Sequence, residues 1–255
     1  ITSIIAYHAV NKNIKVRFGI NLDLLKKMVN FGFRNYLGTL FQYLNYRIDL
    51  LLILPLAGAY ETGLYVTAVT IAERIWDIPD SIRVVIQPRI TAISDEDAQE
   101  LTSSVTRITI FPLILLSVGI AFSGRLLIGL LFGPEYYNSY LPLVILLPGI
   151  VAFSISKYLA SHLTGRGNPQ ISSYAAFISL IVNILLNSYL IRYWGGVGAA
   201  IASSATYFCA TLYLIIQFLS RSSLHLKDLL LMKSADFKNI CNSLNSLWSY
   251  QSIRR

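Results

Sequence analysis

From position 29 to position 219 the sequence is a series of long apolar stretches separated by short polar turns. A hydrocarbon core of about 30 Å needs roughly 20 helical residues to cross it, with every backbone hydrogen bond closed within the protein. Six stretches reach that length: 29–56, 63–90, 104–123, 137–163, 170–191 and 194–219. The chain as a whole is 55% hydrophobic and 13% charged, against roughly 25% charged residues in a soluble domain. Too few polar side chains remain to cover a particle in water. The pattern predicts an all-α integral membrane protein whose core is a six-helix transmembrane bundle.

The basic residues sit at the two ends of this series. Lys12, Lys15, Arg17, Lys26 and Lys27 precede the first stretch, and Arg221, Lys227, Lys233, Lys238, Arg254 and Arg255 follow the last. An even number of spans with basic flanks places both flanks in the cytoplasm by the positive-inside bias. The net charge of +8 therefore points to membrane headgroups, and no nucleic-acid partner is expected. Residues 1–10 are apolar but too short to cross, and are expected to end a preceding transmembrane helix. Residues 11–28 form a basic cytoplasmic linker, 29–219 the six-span lobe, and 220–255 a loosely held cytoplasmic tail. Leu229 to Met232 of that tail are expected to touch the membrane surface. Cys209 and Cys241 offer no disulfide framework, and His8, His162 and His225 are too dispersed for a metal motif, so no metal or cofactor is expected.

The second stretch carries the strongest chemical signal. Glu73, Arg74, Asp77, Asp80 and Arg83 lie near the middle of a membrane helix. At about 100° per residue, Glu73, Asp77, Asp80 and Gln87 fall within about 40° of one line, with Arg83 at its border. Ile71, Ile75, Ile78, Ile82 and Ile86 occupy the opposite face. Each such charge facing lipid would cost about 3 kcal/mol, so the stripe must face protein or water. Pairs Arg74–Asp77 and Asp80–Arg83 at i,i+3 spacing could form an internal network, leaving one net negative charge. A water-filled cavity is the alternative, and both remain open.

Other polar residues lie in the remaining stretches. In the first, Arg47 shares a face with Tyr43 and Tyr36, whereas Asp49, Asn45 and Gln42 line another. Arg47 and Asp49 are two residues apart and cannot pair on a helix, so each is expected to meet another helix or a cavity. Arg34 and Lys157 either line the interior or extend to the headgroups. Asn183 and Asn187 are spaced to hydrogen-bond between helices. Gly195, Ala199 and Ser203, then Gly198, Ala202 and Thr206, allow close helix contact. Pro55, Pro79, Pro88, Pro112, Pro142 and Pro148 should kink helices, which suits a transporter that rocks between states. In the turn Gly165-Arg166-Gly167-Asn168-Pro169, Asn168 is expected to cap the following helix. A short interfacial helix is expected around 124–140.

An ordered series of motifs carries a family resemblance. Gly63-Leu64-Tyr65 with Ala68 and Ala72 leads to Gln87-Pro88-Arg89-Ile90. Leu131-Phe132-Gly133, Tyr136, Leu146-Leu147-Pro148-Gly149 and Gly165-Arg166-Gly167-Asn168-Pro169 follow. Asn183, Asn187 and Gly195-Gly196-Val197-Gly198-Ala199-Ala200 complete the pattern. Over about 24–219 the chain resembles the polysaccharide-exporter branch of the multidrug/oligosaccharidyl-lipid/polysaccharide superfamily, which includes O-antigen-type flippases. Ile191-Arg192-Tyr193 replaces the proline-containing turn usual there. The resemblance implies the second of two six-helix lobes around a central cavity, with the first lobe of the same protein as its partner.

It further implies a flippase, not an enzyme, that moves undecaprenyl-diphosphate-linked oligosaccharide to the outer leaflet of the cytoplasmic membrane. An anionic diphosphate gives cavity cations a use, so Arg47, Arg83 and Lys157 are the substrate-binding candidates. Asp49, Glu73, Asp77 and Asp80 could couple an ion or line the cavity. Two alternatives stand beside this reading. A cation-coupled drug or organic-cation antiporter of the same superfamily would use those carboxylates directly. A membrane glycosyltransferase or polymerase would need catalytic residues on sizeable exterior loops, which the sequence does not show.

Overall fold

The structure, a computed structural model, describes residues 21–233 and Asp236, except the side chains of Arg34 and Asn35. The expected helix end at 1–10, most of the basic linker, the Arg34 side chain and the tail beyond Asp236 lie outside the described residues. All the regular structure described is helical: α1 (Leu22–Ala72), a 3-10 turn (Glu73–Trp76), α2 (Asp77–Ala92), α3 (Asp95–Leu131), a second 3-10 turn (Pro134–Ser139), α4 (Tyr140–Gly165), α5 (Pro169–Leu219) and α6 (Leu226–Leu230). Four of the helical segments are long and apolar enough to cross a membrane, and the protein is a multi-pass membrane protein.

The chain divides into two units, residues 1–33 and 34–255. In the described part of the first, Asn21 Oδ1 accepts from the amides of Asp23 and Leu24, both at 3.1 Å, and so caps the start of α1. Everything below concerns the second unit.

Glycines set the reversals within the two longest helices. Gly58 (φ 84°) and Gly195 (φ 51°) are the non-helical residues inside α1 and α5, in backbone regions that side-chain-bearing residues rarely enter. A Cβ on Gly198 would press on the Leu190 backbone, although eight residues of straight helix span about 12 Å. The chain therefore doubles back at Gly195. It does the same at Gly58, because Tyr65 reaches Asp49 sixteen residues earlier. Among the six expected kink prolines, Pro79 has the clearest effect. Its ring removes a donor and frees the Ile75 carbonyl, and the residues Glu73–Trp76 tighten into a 3-10 turn there.

α4 is the central element. In its most apolar window 78% of residues are buried, against 22–33% in the other three long segments. Its polar residues Ser154, Ser156, Lys157, Ser161 and His162 are accordingly all interior. Gly149 lets α5 approach so closely that a Cβ would meet Ser204 Cα at 2.6 Å. Many interior hydroxyls, including Thr102, Thr106, Ser154, Thr206 and Thr211, bond the carbonyl one turn back and so avoid being orphaned.

Three local expectations need correction. α3 starts at Asp95, not near 104, because Ser94 Oγ accepts from the Asp97 amide at 3.2 Å and three acidic residues favour the first turn. The expected interfacial helix over 124–140 is instead the last turns of α3 followed by the 3-10 turn. Asn168 makes no side-chain cap. The turn closes through Asn168 N–H to Leu163 O (2.9 Å) and Gly167 N–H to Thr164 O (3.0 Å), with Gly167 at φ 79°.

The described part of the tail, 220–233 and Asp236, also differs from the loose segment expected. Leu229 is fully buried against Leu159, Leu163, Leu214 and Phe218. Arg107, wholly buried on α3, grips Asp236 with both carboxylate oxygens, Nε to Oδ2 at 2.6 Å and Nη2 to Oδ1 at 3.0 Å. It also donates to Glu100 (2.8 Å) and to the Asp228 carbonyl. Ser104 Oγ and the Lys233 amide donate to the same Asp236 carboxylate. The Arg107 guanidinium holds the Asp236 carboxyl down to about 2. This is a clasp across the foot of the bundle.

Candidate functional site

The charged stripe of the second stretch opens onto a recess of about 460 Å³ between the two arms of α1, the 3-10 turn, α2 and α4. Its walls include Tyr46, Arg47, Thr70, Glu73, Arg74, Trp76, Asp77, Asp80 and Lys157. Five of the seven residues expected at a site are thus brought together. The 3-10 turn departs from the regular 100° spacing, yet Glu73, Asp77 and Asp80 still share this recess.

Lys157 is its best-fixed cation. Its side chain is 5% exposed, its Nζ lies 2.6 Å from Asp80 Oδ2 and 4.5 Å over the ring of Trp76. Trp76 is held in turn by a 3.0 Å bond from its indole N–H to the Ile150 carbonyl and by packing on Tyr46, Phe153 and Tyr207. Lys157 therefore lines the cavity and does not extend to the headgroups. Asp80 is shared: Arg83 Nε approaches its other oxygen at 3.7 Å, and Arg74 lies 3.9 Å from Asp77. Both expected i,i+3 pairs are present.

Arg47 is different. It is exposed and makes no hydrogen bond or ion pair among the described residues, so its five donors are available. Around the recess three carboxylates (Glu73, Asp77 and Asp80) face three cations (Arg47, Arg74 and Lys157), and Arg83 stands outside the lining, beside Asp80. The net negative charge read from the second stretch alone is thereby offset, and the recess lining sums to zero.

Asp49 lies apart from this recess. It is 2% exposed and accepts from Tyr65 Oη and from Ser203 Oγ at 3.2 Å. Beside it Asn183 Nδ2 donates to Asn45 O (3.0 Å) and Oδ1 (2.7 Å), and Asn187 Nδ2 donates to Asn183 O (3.0 Å). Asn183 thus makes the interhelical bonds expected of it, from α5 to α1, whereas Asn187 bonds one turn back along its own helix. Asn187 Oδ1 is buried without a partner. Among the described residues no cluster of His, Cys, Asp and Glu is arranged to hold a metal ion.

Four participants escaped the sequence reading. Trp76 as the floor beneath Lys157, and Tyr65 and Ser203 as donors to Asp49, carry no signal beyond ordinary core composition. Arg107 does carry one, being a lone cation within an apolar stretch.

Comparison with known proteins places this architecture. A family model described as a polysaccharide biosynthesis protein matches residues 1–141. The chain belongs to that family. It is 30% identical over 155 residues to the "Probable low-salt glycan biosynthesis flippase Agl15" of Haloferax volcanii, covering 59% of this chain and 32% of that protein. It is 24% identical to the capsular polysaccharide biosynthesis protein CapF of Staphylococcus aureus, covering 78% and 51% respectively. Among solved structures, the lipid II flippase MurJ in an inward closed conformation superposes with a TM-score of 0.63 at 19% identity, over 98% of this chain and 54% of that one. An outward-facing multidrug transporter of the MATE family gives the same score at 20% identity, over 84% and 50%. The polysaccharide-exporter resemblance is thereby established, and the fold is that of the MOP superfamily. The chain spans about a third to a half of the length of these relatives.

Proposed function

We propose that this chain is one lobe of a flippase that moves undecaprenyl-diphosphate-linked oligosaccharide across the cytoplasmic membrane by alternating access. Arg47, exposed on the recess wall with no hydrogen bond or ion pair among the described residues, is the observation that carries the reading. A diphosphate entering there finds the planar fork of Arg47 unspent and can compete with Asp80 for Lys157, with Arg83 at the margin. The three cations bind; Asp80 holds Lys157 and Arg83 in place while the recess is empty. Glu73 and Asp77 line the wall. Asp49, enclosed by Tyr65, Ser203 and the asparagine chain, is the candidate for coupling transport to a proton or sodium ion.

In this reading 29–219 crosses the membrane six times, with the reversals at Gly58 and Gly195 outside and the basic flanks 11–28 and 220–255 inside. The first lobe of the same protein supplies the other cavity wall, since alternating access moves one bundle against another. The cation antiporter fits less well, because the three carboxylates of the recess are matched by three cations, and Asp77 and Asp80 already lie within ion-pair distance of Arg74 and Lys157. The discriminating experiment reconstitutes the full-length protein in vesicles with a fluorescent lipid-linked oligosaccharide or with ethidium. Movement of the lipid-linked sugar supports the proposal, and movement of ethidium alone refutes it.

A further inference from the structure

A second recess, also of about 460 Å³, lies at the end of the bundle where the chain reverses at Gly58 and Gly195. Glu61, Arg125, Tyr137, Asn138, Tyr140 and Trp194 contribute its polar and aromatic surface. Its architecture depends on the reversal. Glu61 Oε2 accepts from the Gly196 amide at 2.8 Å, and a Cβ at Gly195 would lie 2.5 Å from that oxygen. The glycine that turns the chain thus also makes room for the carboxylate. Glu61 Oε1 has no partner among the described residues. Arg125 stacks its guanidinium 5.3 Å from the centre of the Tyr137 ring and makes no hydrogen bond or ion pair among the described residues. A carboxylate and a guanidinium therefore line one recess without pairing with each other, beside the exposed rings of Trp194 and Tyr137.

One carboxylate and one guanidinium sum to zero, so nothing here selects a net charge. What they offer is two planar forks, one of acceptors and one of donors. Vicinal hydroxyls of a sugar ring present matching pairs, and the ring's C–H face packs on an aromatic face. Pockets that pair aromatic walls with a few placed polar groups take small organic ligands of that character. We propose that this recess is a saccharide subsite, binding uncharged sugar units on Trp194 and Tyr137 with their hydroxyls held by Glu61 and Arg125. As the resting place for the sugar end of a lipid-linked oligosaccharide it rests on the flippase reading; as a sugar site it stands alone.

The test presents the detergent-solubilised full chain to an array of uncharged oligosaccharides of glucose, galactose, mannose, rhamnose and N-acetylhexosamines. Retention of at least one is expected, weakened tenfold or more by Trp194→Ala and by Arg125→Gln. Both positions are exposed, so thermal stability and membrane abundance should match the parent. Three results would overturn the proposal: no uncharged sugar retained, retention unchanged from the parent in both variants, or, with anionic glycans added to the array, retention confined to those. A fall in abundance with unchanged retention per molecule would make the aromatics membrane anchors only, and would overturn it equally. Failure of the flippase reading looks different: sugars are retained, but the full-length protein does not move lipid-linked oligosaccharide.

Discussion

Replacing Arg107 with alanine should release the clasp without unfolding the bundle. Breaking a buried ion pair costs about 3–5 kcal/mol, because the partner left behind is an uncompensated charge. After the loss, the segment 226–233 is held mainly by Leu229, whose full burial contributes about 2 kcal/mol. The Lys233 pairs with Asp228 and Glu100 are partly exposed and add about 1 kcal/mol or less each. The loss is as large as what remains, and detachment lets Asp236 and Glu100 regain water. The segment should therefore peel away. Hydrogen exchange in detergent measures this directly: the amides of Asp228 and Leu231, bonded to His225 and Lys227 carbonyls, should lose protection, as α4 amides keep theirs. Trypsin should gain cleavage after Lys227 and Lys233. Arg107→Lys, which keeps the charge but loses the two-pronged grip, should be intermediate. Unchanged protection in Arg107→Ala, or protection lost through α3, α4 and α5 together, would refute the reasoning.

The clasp should also respond to acid: Asp236, facing Arg107, Ser104, Glu100 and Lys233, titrates near 2 when folded, below an ordinary value of about 3.9. Its contribution is then complete above about pH 4 and is lost as pH falls through about 2, which tryptophan-independent exchange measurements at 226–233 would follow; acid-insensitive protection would contradict it. Gly195→Ala should destabilise the full chain by about 1–3 kcal/mol, from strain at a positive φ and collision with Glu61, read as a lower thermal midpoint. Cysteines placed at Asn13 and Ser234 should label from the same, cytoplasmic, side of the membrane, and labelling from opposite sides would refute an even number of crossings.

Much of the fold was legible because lipid imposes a coarse code. Long apolar stretches, glycine-bounded turns and the i,i+3 charge spacing of 73–83 are local, and local patterns survive into the structure. The start of α3 was obscured by its acidity, although Ser94 and Asp97 spell a helix cap. What the sequence does not convey is which distant groups meet. Lys157 and Asp80 are 77 residues apart, and Arg107 and Asp236 are 129 apart. The negative charge of the stripe is offset for the same reason: Arg47 and Lys157 arrive from other helices. Asp49 has the opposite history, since a carboxylate expected in the cavity is enclosed by Tyr65 and Ser203 on the far side of its helix.

The central claim is that the recess binds an anion through Arg47, and the flipping rate of the full-length Arg47→Ala protein tests it most directly. A hydrogen bond to a charged group contributes about 1.5–3 kcal/mol, so losing it should slow flipping of a fluorescent undecaprenyl-diphosphate oligosaccharide by roughly 10- to 100-fold. Because Arg47 is exposed and unpaired, the variant should reach the membrane at the parent's abundance. Slowed flipping at normal abundance is the predicted result, and flipping at the parent's rate would contradict it.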